Sequence, residues 1–156
     1  MQEMLHSFKL RRVKERLMAI KLDLQKAYDK MNWNFMKVML KKFGFAETFV
    51  NKILECVSSV SFSLLINGGI SGDFKPSCGL RQGDPLSPYI FILYQEILSR
   101  MLEKNFAEGN LRGVKASSGG PTVTHIMFAN DIVLFSKASR NEATILDDCL
   151  EKYLDG

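Results

Sequence analysis

The stretch Thr122-Val123-Thr124-His125-Ile126-Met127-Phe128-Ala129-Asn130-Asp131-Ile132-Val133-Leu134-Phe135-Ser136-Lys137 decides the fold. Two apolar runs, 122–128 and 132–137, surround Ala129, Asn130 and Asp131, which predicts two strands with Asp131 in the tight turn between them. Far upstream, residues 17–24 alternate: Met18, Ile20, Leu22 and Leu24 fall on one face, Ala19, Lys21 and Asp23 on the other. That pattern predicts a half-buried strand presenting Asp23 outward. A sheet that sets this strand beside the hairpin brings the carboxylates of Asp23 and Asp131 together. Two unpaired anions within about 4–6 Å oppose each other's ionisation, so the pair asks for a cation, and oxygen ligands of this kind suit Mg²⁺ or Mn²⁺. The plainer reading, a strand-end residue and a turn former, stays open at this point.

Between these strands, Trp33, Met36, Leu40 and Phe43 are spaced for a helix that stops at Gly44. Phe49, Val50, Ile53, Leu54 and Val57 are spaced for a second helix, and both stripes are expected in the core. Residues 61–66 and 70–75, joined through Asn67, Gly68 and Gly69, predict a β-hairpin, because Asn and Gly accept the positive φ of such turns. Pro85 and Pro88 open a long helix whose buried stripe is Ile90, Tyr94, Ile97 and Met101; a last helix is expected over about 139–154. Residues 2–14 have helical spacing and are basic. The order β, α, α, β, β, α, β, β, α predicts an α+β fold, with helices packed on one face of a mainly antiparallel sheet.

The 156 residues are 46% hydrophobic and 24% charged, which fits one globular domain spanning 1–156 and argues against disorder, a fibrous repeat or a disulfide scaffold. The longest apolar run, 89–94, is interrupted by Gln95 and Glu96 and is too short to span a bilayer, so no membrane partner is expected. Arg11, Arg12, Lys14, Glu15 and Arg16 occupy the place of the apolar segment of an export signal, so an intracellular location, nuclear or cytoplasmic, is expected. Cys56, Cys78 and Cys149 have no CxxC pairing or nearby histidine and are expected to be reduced packing residues. Within the net charge of +4, the part up to residue 55 is basic and the remainder slightly acidic. A basic third suits a polyanion, as it suits a solvated face.

A second constellation is Gly79-Leu80-Arg81-Gln82-Gly83-Asp84-Pro85-Leu86-Ser87-Pro88. Gly83 permits close backbone approach, Arg81 and Gln82 supply donors for a phosphate or a base, and Asp84 with Pro85 reads as a helix cap and first-turn proline. His6 and His125 are isolated; His125 reads as a satisfied core or edge residue. Lys9 to Arg16 is a candidate contact to a nucleic-acid backbone or a solvated face, and Asp147 and Asp148 read as surface charge.

Asp23-Leu24-Gln25-Lys26-Ala27-Tyr28-Asp29 followed by Trp33, then Leu80-Arg81-Gln82-Gly83-Asp84-Pro85-Leu86-Ser87-Pro88, then Phe128-Ala129-Asn130-Asp131 stand in the order of blocks A, B and C of reverse transcriptases. The chain most resembles the LINE-type (non-LTR) retrotransposon enzymes of plants, over essentially its whole length. The resemblance implies a polymerase palm that extends a DNA primer on an RNA template from deoxynucleoside triphosphates, using two Mg²⁺ (or Mn²⁺) ions. Asp23 would bind both metals, the Leu24 backbone carbonyl would join the second, and Asp131 is the further acidic residue of the site. Tyr28 falls where the family places an aromatic under the deoxyribose, with core packing as its plainer role. Gln82 and Gly83 would contact the incoming nucleotide and template, and Arg81 a phosphate.

Active family members have Asp where this chain has Asn130. An amide offers one neutral oxygen and removes a full negative charge from a site for two dications, so a loss on the order of 100-fold or more in rate is expected. The resemblance also implies that fingers and thumb segments are missing, which would weaken the hold on template and primer and expose apolar faces. Three readings follow: an impaired polymerase palm, a catalytically inactive remnant that at most binds nucleic acid, and a structural α+β module.

Overall fold

The computed structural model describes residues 16–115 and 119–154, so the basic segment 2–14, expected as a helix, lies outside the described residues. The element order is β1 (Leu17–Asp23), α1 (Trp33–Lys42), α2 (Glu47–Ser58), β2 (Phe62–Ile66), β3 (Gly69–Phe74), α3 (Ser87–Ala107), β4 (Val114–Lys115), β5 (Thr122–Val123), β6 (His125–Phe128), β7 (Asp131–Lys137) and α4 (Arg140–Leu154). This is the α+β class that the sequence predicts. Two compact units form: one is Lys26–Tyr94, the other the described residues up to Gln25 and from Gln95 onward.

In the second of these units β7 is the centre of an antiparallel sheet in the order β1-β7-β6. Residues paired across antiparallel strands point to the same side. Ile20, Leu134 and His125 therefore share one face, where the ring of His125 meets Ser99 of α3 at 2.9 Å. Asp23, Asp131, Lys21, Val133, Phe135 and Ile126 share the other. There the short ribbon β4–β5 supplies Val114 and Val123 to a cluster with Val133 and Phe135. With helix over one face and the ribbon over part of the other, the middle of β7 is buried from Ile132 to Ser136. The ribbon does not extend over the Asp23 end, where Phe128 remains 78% exposed. Along β1 the alternation is as predicted, with Ala19, Lys21 and Asp23 outward.

Several expectations are corrected here. Asp131 is the first residue of β7 and not a turn residue; the turn is Ala129-Asn130, with Ala129 in the left-handed region at φ 50°. The apolar run 122–128 breaks at Thr124 into β5 and β6, because β5 leaves the main sheet to pair with β4, a strand too short to signal itself. Cys149 is buried, but Cys56 and Cys78 are exposed, so thiol packing holds for one cysteine of three. The buried positions of α3 are Ser87, Ile90, Phe91, Gln95, Leu98 and Leu102, a stripe rotated from the expected Ile90, Tyr94, Ile97 and Met101, which apart from Ile90 are half-buried.

In the Lys26–Tyr94 unit, α1 begins at Asn32, whose side-chain oxygen accepts the N–H groups of Asn34 and Phe35, and it buries Met36, Met39 and Leu40. The second stripe is buried at Val50 and Ile53 only; Phe49, expected in the core, is 46% exposed. The hairpin β2–β3 turns through Asn67 (φ 50°) and Gly68 (φ 82°), the two positive angles of a type I′ turn. Every residue of both its strands is exposed.

Candidate active site

β1 ends at Asp23 because Leu24 leaves the ladder to donate its N–H to the carbonyl of Asn130 at 3.0 Å. That bond ties the chain after Asp23 to the β6–β7 turn. Asp23 lies in register with Asp131, so the two carboxyl groups stand side by side at the open end of adjacent strands. Each has a partner. The Asn130 Nδ2 donates to Asp23 Oδ1 at 2.7 Å, and Lys21 Nζ meets Asp131 Oδ1 at 2.9 Å. Lys21 is two residues before Asp23 and therefore on its face, diagonally across from Asp131. The hydrogen bond and charge of Asp131, and more weakly the charge of Asp23, hold the Lys21 ammonium above its usual value. Lys21 is thus a member of the site that the motif did not show, although its alternation with Asp23 carried the signal.

The turn is supported from α3. Gln95, only 8% exposed, donates its side-chain amide to the carbonyl of Ala129. A chain of contacts therefore runs from the helix through the left-handed Ala129 to Asn130 and on to Asp23. Gln95 was invisible as a site residue in the sequence, where it served only to interrupt an apolar run. His125 has both ring nitrogens occupied, Nε2 by Ser99 Oγ and Nδ1 by Thr124 Oγ1, each at 2.9 Å. It is a satisfied, half-buried residue, as expected.

The remaining predicted residues lie in the Lys26–Tyr94 unit. Tyr28 stacks on Phe91, with ring centroids 4.7 Å apart and an interplanar angle of 22°. Its backbone carbonyl accepts the N–H of Leu80 at 2.7 Å, and Gly79 N–H donates to Met31 O at 2.8 Å, so the segment before Arg81 is zipped to the segment after Tyr28. Arg81 Nη2 pairs with Asp84 Oδ2 at 2.7 Å. Asp84 also accepts the Leu86 N–H at 2.9 Å; that bond, with help from Arg81, holds its carboxyl below the usual range. It thereby ties down the turn that leads into α3, which starts two residues after Pro85, at Ser87. Gln82 Nε2 reaches Asp29 Oδ1 at 3.4 Å, and Gly83 is left-handed at φ 84° with open space around it. Tyr28 and Gln82 are therefore held by contacts local to their own unit.

Comparison with known proteins bears on the fold and on the family. Over 67 residues the chain is 48% identical to an uncharacterized mitochondrial protein of Arabidopsis thaliana, covering 43% of this chain and 55% of that one. Over 130 residues it is 30% identical to a retrovirus-related Pol polyprotein from a type-2 retrotransposable element of Drosophila melanogaster, covering 83% of this chain but 12% of the relative. The fold is shared with telomerase of Candida tropicalis, at a TM-score of 0.64 and 16% identity over 98% of this chain and 30% of that one. It is shared likewise with telomerase of Candida albicans, at a TM-score of 0.66 and 14% identity over 99% and 27%. Residues 2–155 match the family described as reverse transcriptase (RNA-dependent DNA polymerase), and the chain belongs to that family.

Proposed function

We propose that this chain is the palm of a plant LINE-type reverse transcriptase, built for RNA-templated deoxynucleotidyl transfer at Asp23 and weakened by Asn130. The observation that carries the reading is the pairing of Asp23 with Asp131 across adjacent strands, with the Asn130 amide on the Asp23 carboxylate. The family description, RNA-dependent DNA polymerase, supports an RNA template, a DNA primer and deoxynucleoside triphosphates as partners, the retrotransposon relative supports a mobile-element origin, and the Arabidopsis relative supports a plant source.

Reverse transcriptases generally use divalent metal ions, and the donors here suit one such ion. The Asp23 carboxylate and the Leu24 carbonyl are hard oxygens of the kind Mg²⁺ and Mn²⁺ prefer, and Asn130 adds a neutral amide. The ion pair with Lys21 already compensates Asp131. The two ions of an intact family member would need another anionic oxygen, and among the described residues no group of three His, Cys, Asp or Glu is placed to hold a metal. A bound dication would supply Lewis-acid polarisation and charge neutralisation of the phosphates. The chain's own residues do the rest: Asp23 holds the ion, Tyr28 braced by Phe91 offers its ring to the deoxyribose, and Gln82 and Gly83 meet nucleotide and template. Arg81 keeps donors for a phosphate beyond the one on Asp84.

The test is primer extension on an RNA template with Mg²⁺ or Mn²⁺, comparing this chain and its Asn130→Asp variant, each grafted between the fingers and thumb of an active relative. The variant should extend the primer at a rate on the order of 100-fold above the native graft. Comparable rates would make Asn130 a tolerated ligand; no extension by either would sink the site assignment.

A further inference from the structure

Asn130 reaches Asp23 because the backbone is held on both sides of it. On the C-terminal side, the Asn130 carbonyl accepts the N–H of Leu24 at 3.0 Å, which fixes the peptide plane between Asn130 and Asp131. On the N-terminal side, the Ala129 carbonyl accepts the side-chain amide of Gln95, which fixes the plane between Ala129 and Asn130. The direction of the Asn130 side chain follows from these two planes, since φ and ψ are the only soft angles relating the planes that flank a residue. With either plane released, the Cβ of residue 130 can swing while β6 and β7 stay paired.

Ala129 is the soft point of this arrangement. An L-residue keeps a left-handed φ of 50° only where its surroundings over-determine it, and alanine has no polar side chain with which to bond the turn itself. Gln95 supplies the hold from a helix face whose next turns, at Leu98 and Leu102, are fully buried. Four residues on, Ser99 Oγ meets His125 Nε2 at 2.9 Å, so the same face of α3 also touches β6. The two bonds do different things. His125 lies in the ladder opposite Leu134, where strand pairing already fixes the backbone, whereas Ala129 lies in the turn, outside the ladder. We propose that Gln95 is a positioning residue of the site: through the Ala129 carbonyl, its amide sets the angle at which residue 130 presents its side chain to Asp23. The consequence for catalysis rests on the polymerase reading above; the geometric role does not.

The experiment records the side-chain amide signals of Asn130 in a proton–nitrogen correlation spectrum of the native chain, identified by their absence from Asn130→Asp. The bond to Asp23 should set the two amide protons apart and slow their exchange. In Gln95→Met, which keeps the side-chain length without the donor, they should collapse to free-amide positions and exchange severalfold faster, with the circular dichroism spectrum intact. Gln95→Glu, which sets an acceptor against the carbonyl, should do the same, and Ser99→Ala should leave the signals in place. Ala129→Gly added to Gln95→Met should regain stability without regaining the signals, because glycine accepts the φ but does not fix it. In the graft, Gln95→Met added to Asn130→Asp should lower kcat on the order of 10-fold and leave KM for the nucleotide unchanged. Signals unmoved by Gln95→Met and Gln95→Glu overturn the proposal, as do an equal change in Ser99→Ala, their return with Ala129→Gly, or an unchanged kcat in a graft that extends the primer. Signals lost as expected, with no extension by the Asn130→Asp graft, leave Gln95 in its geometric role and the polymerase reading fallen.

Discussion

Asn130 shows how much one atom decides. Replacing a carboxylate oxygen by an amide nitrogen turns a repulsion with Asp23 into a hydrogen bond of 2.7 Å, so the side chain that would weaken the proposed metal site also quiets its charge. Asn130→Asp should reverse both effects: less stable than the native chain in a chelator, and gaining about 1–3 kcal/mol more than it on addition of Mn²⁺, read by urea unfolding. An equal response of the two chains would remove Asn130 from the metal site. His125 sets a second residue-level test. Burial lowers its pKa, while Glu103 and Glu96 oppose that in smaller measure, and its neutral ring serves Ser99 and Thr124. Because the folded value lies below the unfolded one of about 6.5, the unfolded chain takes up the proton first. The contribution of His125 is therefore whole above about pH 6.5 and is lost as pH falls through the folded value. Urea unfolding at about pH 7 and about pH 5.5 should show a larger loss for the native chain than for His125→Gln.

Among the elements, α4 illustrates what was legible and what was not. Ser139 and Glu142 stand at the spacing of a capping box, and Ser139 Oγ indeed accepts the Glu142 N–H at 3.3 Å. Glu142, however, is only 4% exposed, and its carboxylate accepts from Lys137 N at 3.0 Å and Arg112 N at 3.3 Å, tying the end of β7 and the approach to β4 to the start of the helix. Glu142→Ala takes a charged acceptor from both N–H groups and should cost about 1–3 kcal/mol in urea unfolding, whereas an ordinary exposed helix substitution costs less than about 0.5 kcal/mol. Strands β1 and β7 were legible because their periodicity is set by one buried and one open face. β4 was not: two residues carry no periodicity, and its partner β5 looked like the start of β6. Phe49 was misplaced for a related reason, since helical spacing states which residues share a face but not how wide the covered stripe is.

Across the whole molecule, the chain spans about half the length of its Arabidopsis relative and far less of the retrotransposon protein. No helix among the described residues is long and apolar enough to cross a membrane. Large apolar side chains nonetheless remain on the surface, most of all along β2–β3, where Leu65 is 73% and Ile70 80% exposed. Such a patch drives association, so the isolated chain should scatter light as oligomers. The double variant Leu65→Ser, Ile70→Ser should disperse it while shifting unfolding by no more than about 1 kcal/mol, because neither side chain is packed. A native chain that sediments as a monomer contradicts this. By itself the sequence determined the α+β class, the order of most elements, and the residue types and motifs that identify the family, because periodicity, turn chemistry and motif order are local properties of the chain. Only the tertiary structure decided that Asp23 and Asp131 share a register, that Lys21 and Asn130 occupy their oxygens, and that Gln95 holds the turn. Those contacts join residues far apart in the chain, and their partners follow from strand pairing and helix packing that no single segment encodes.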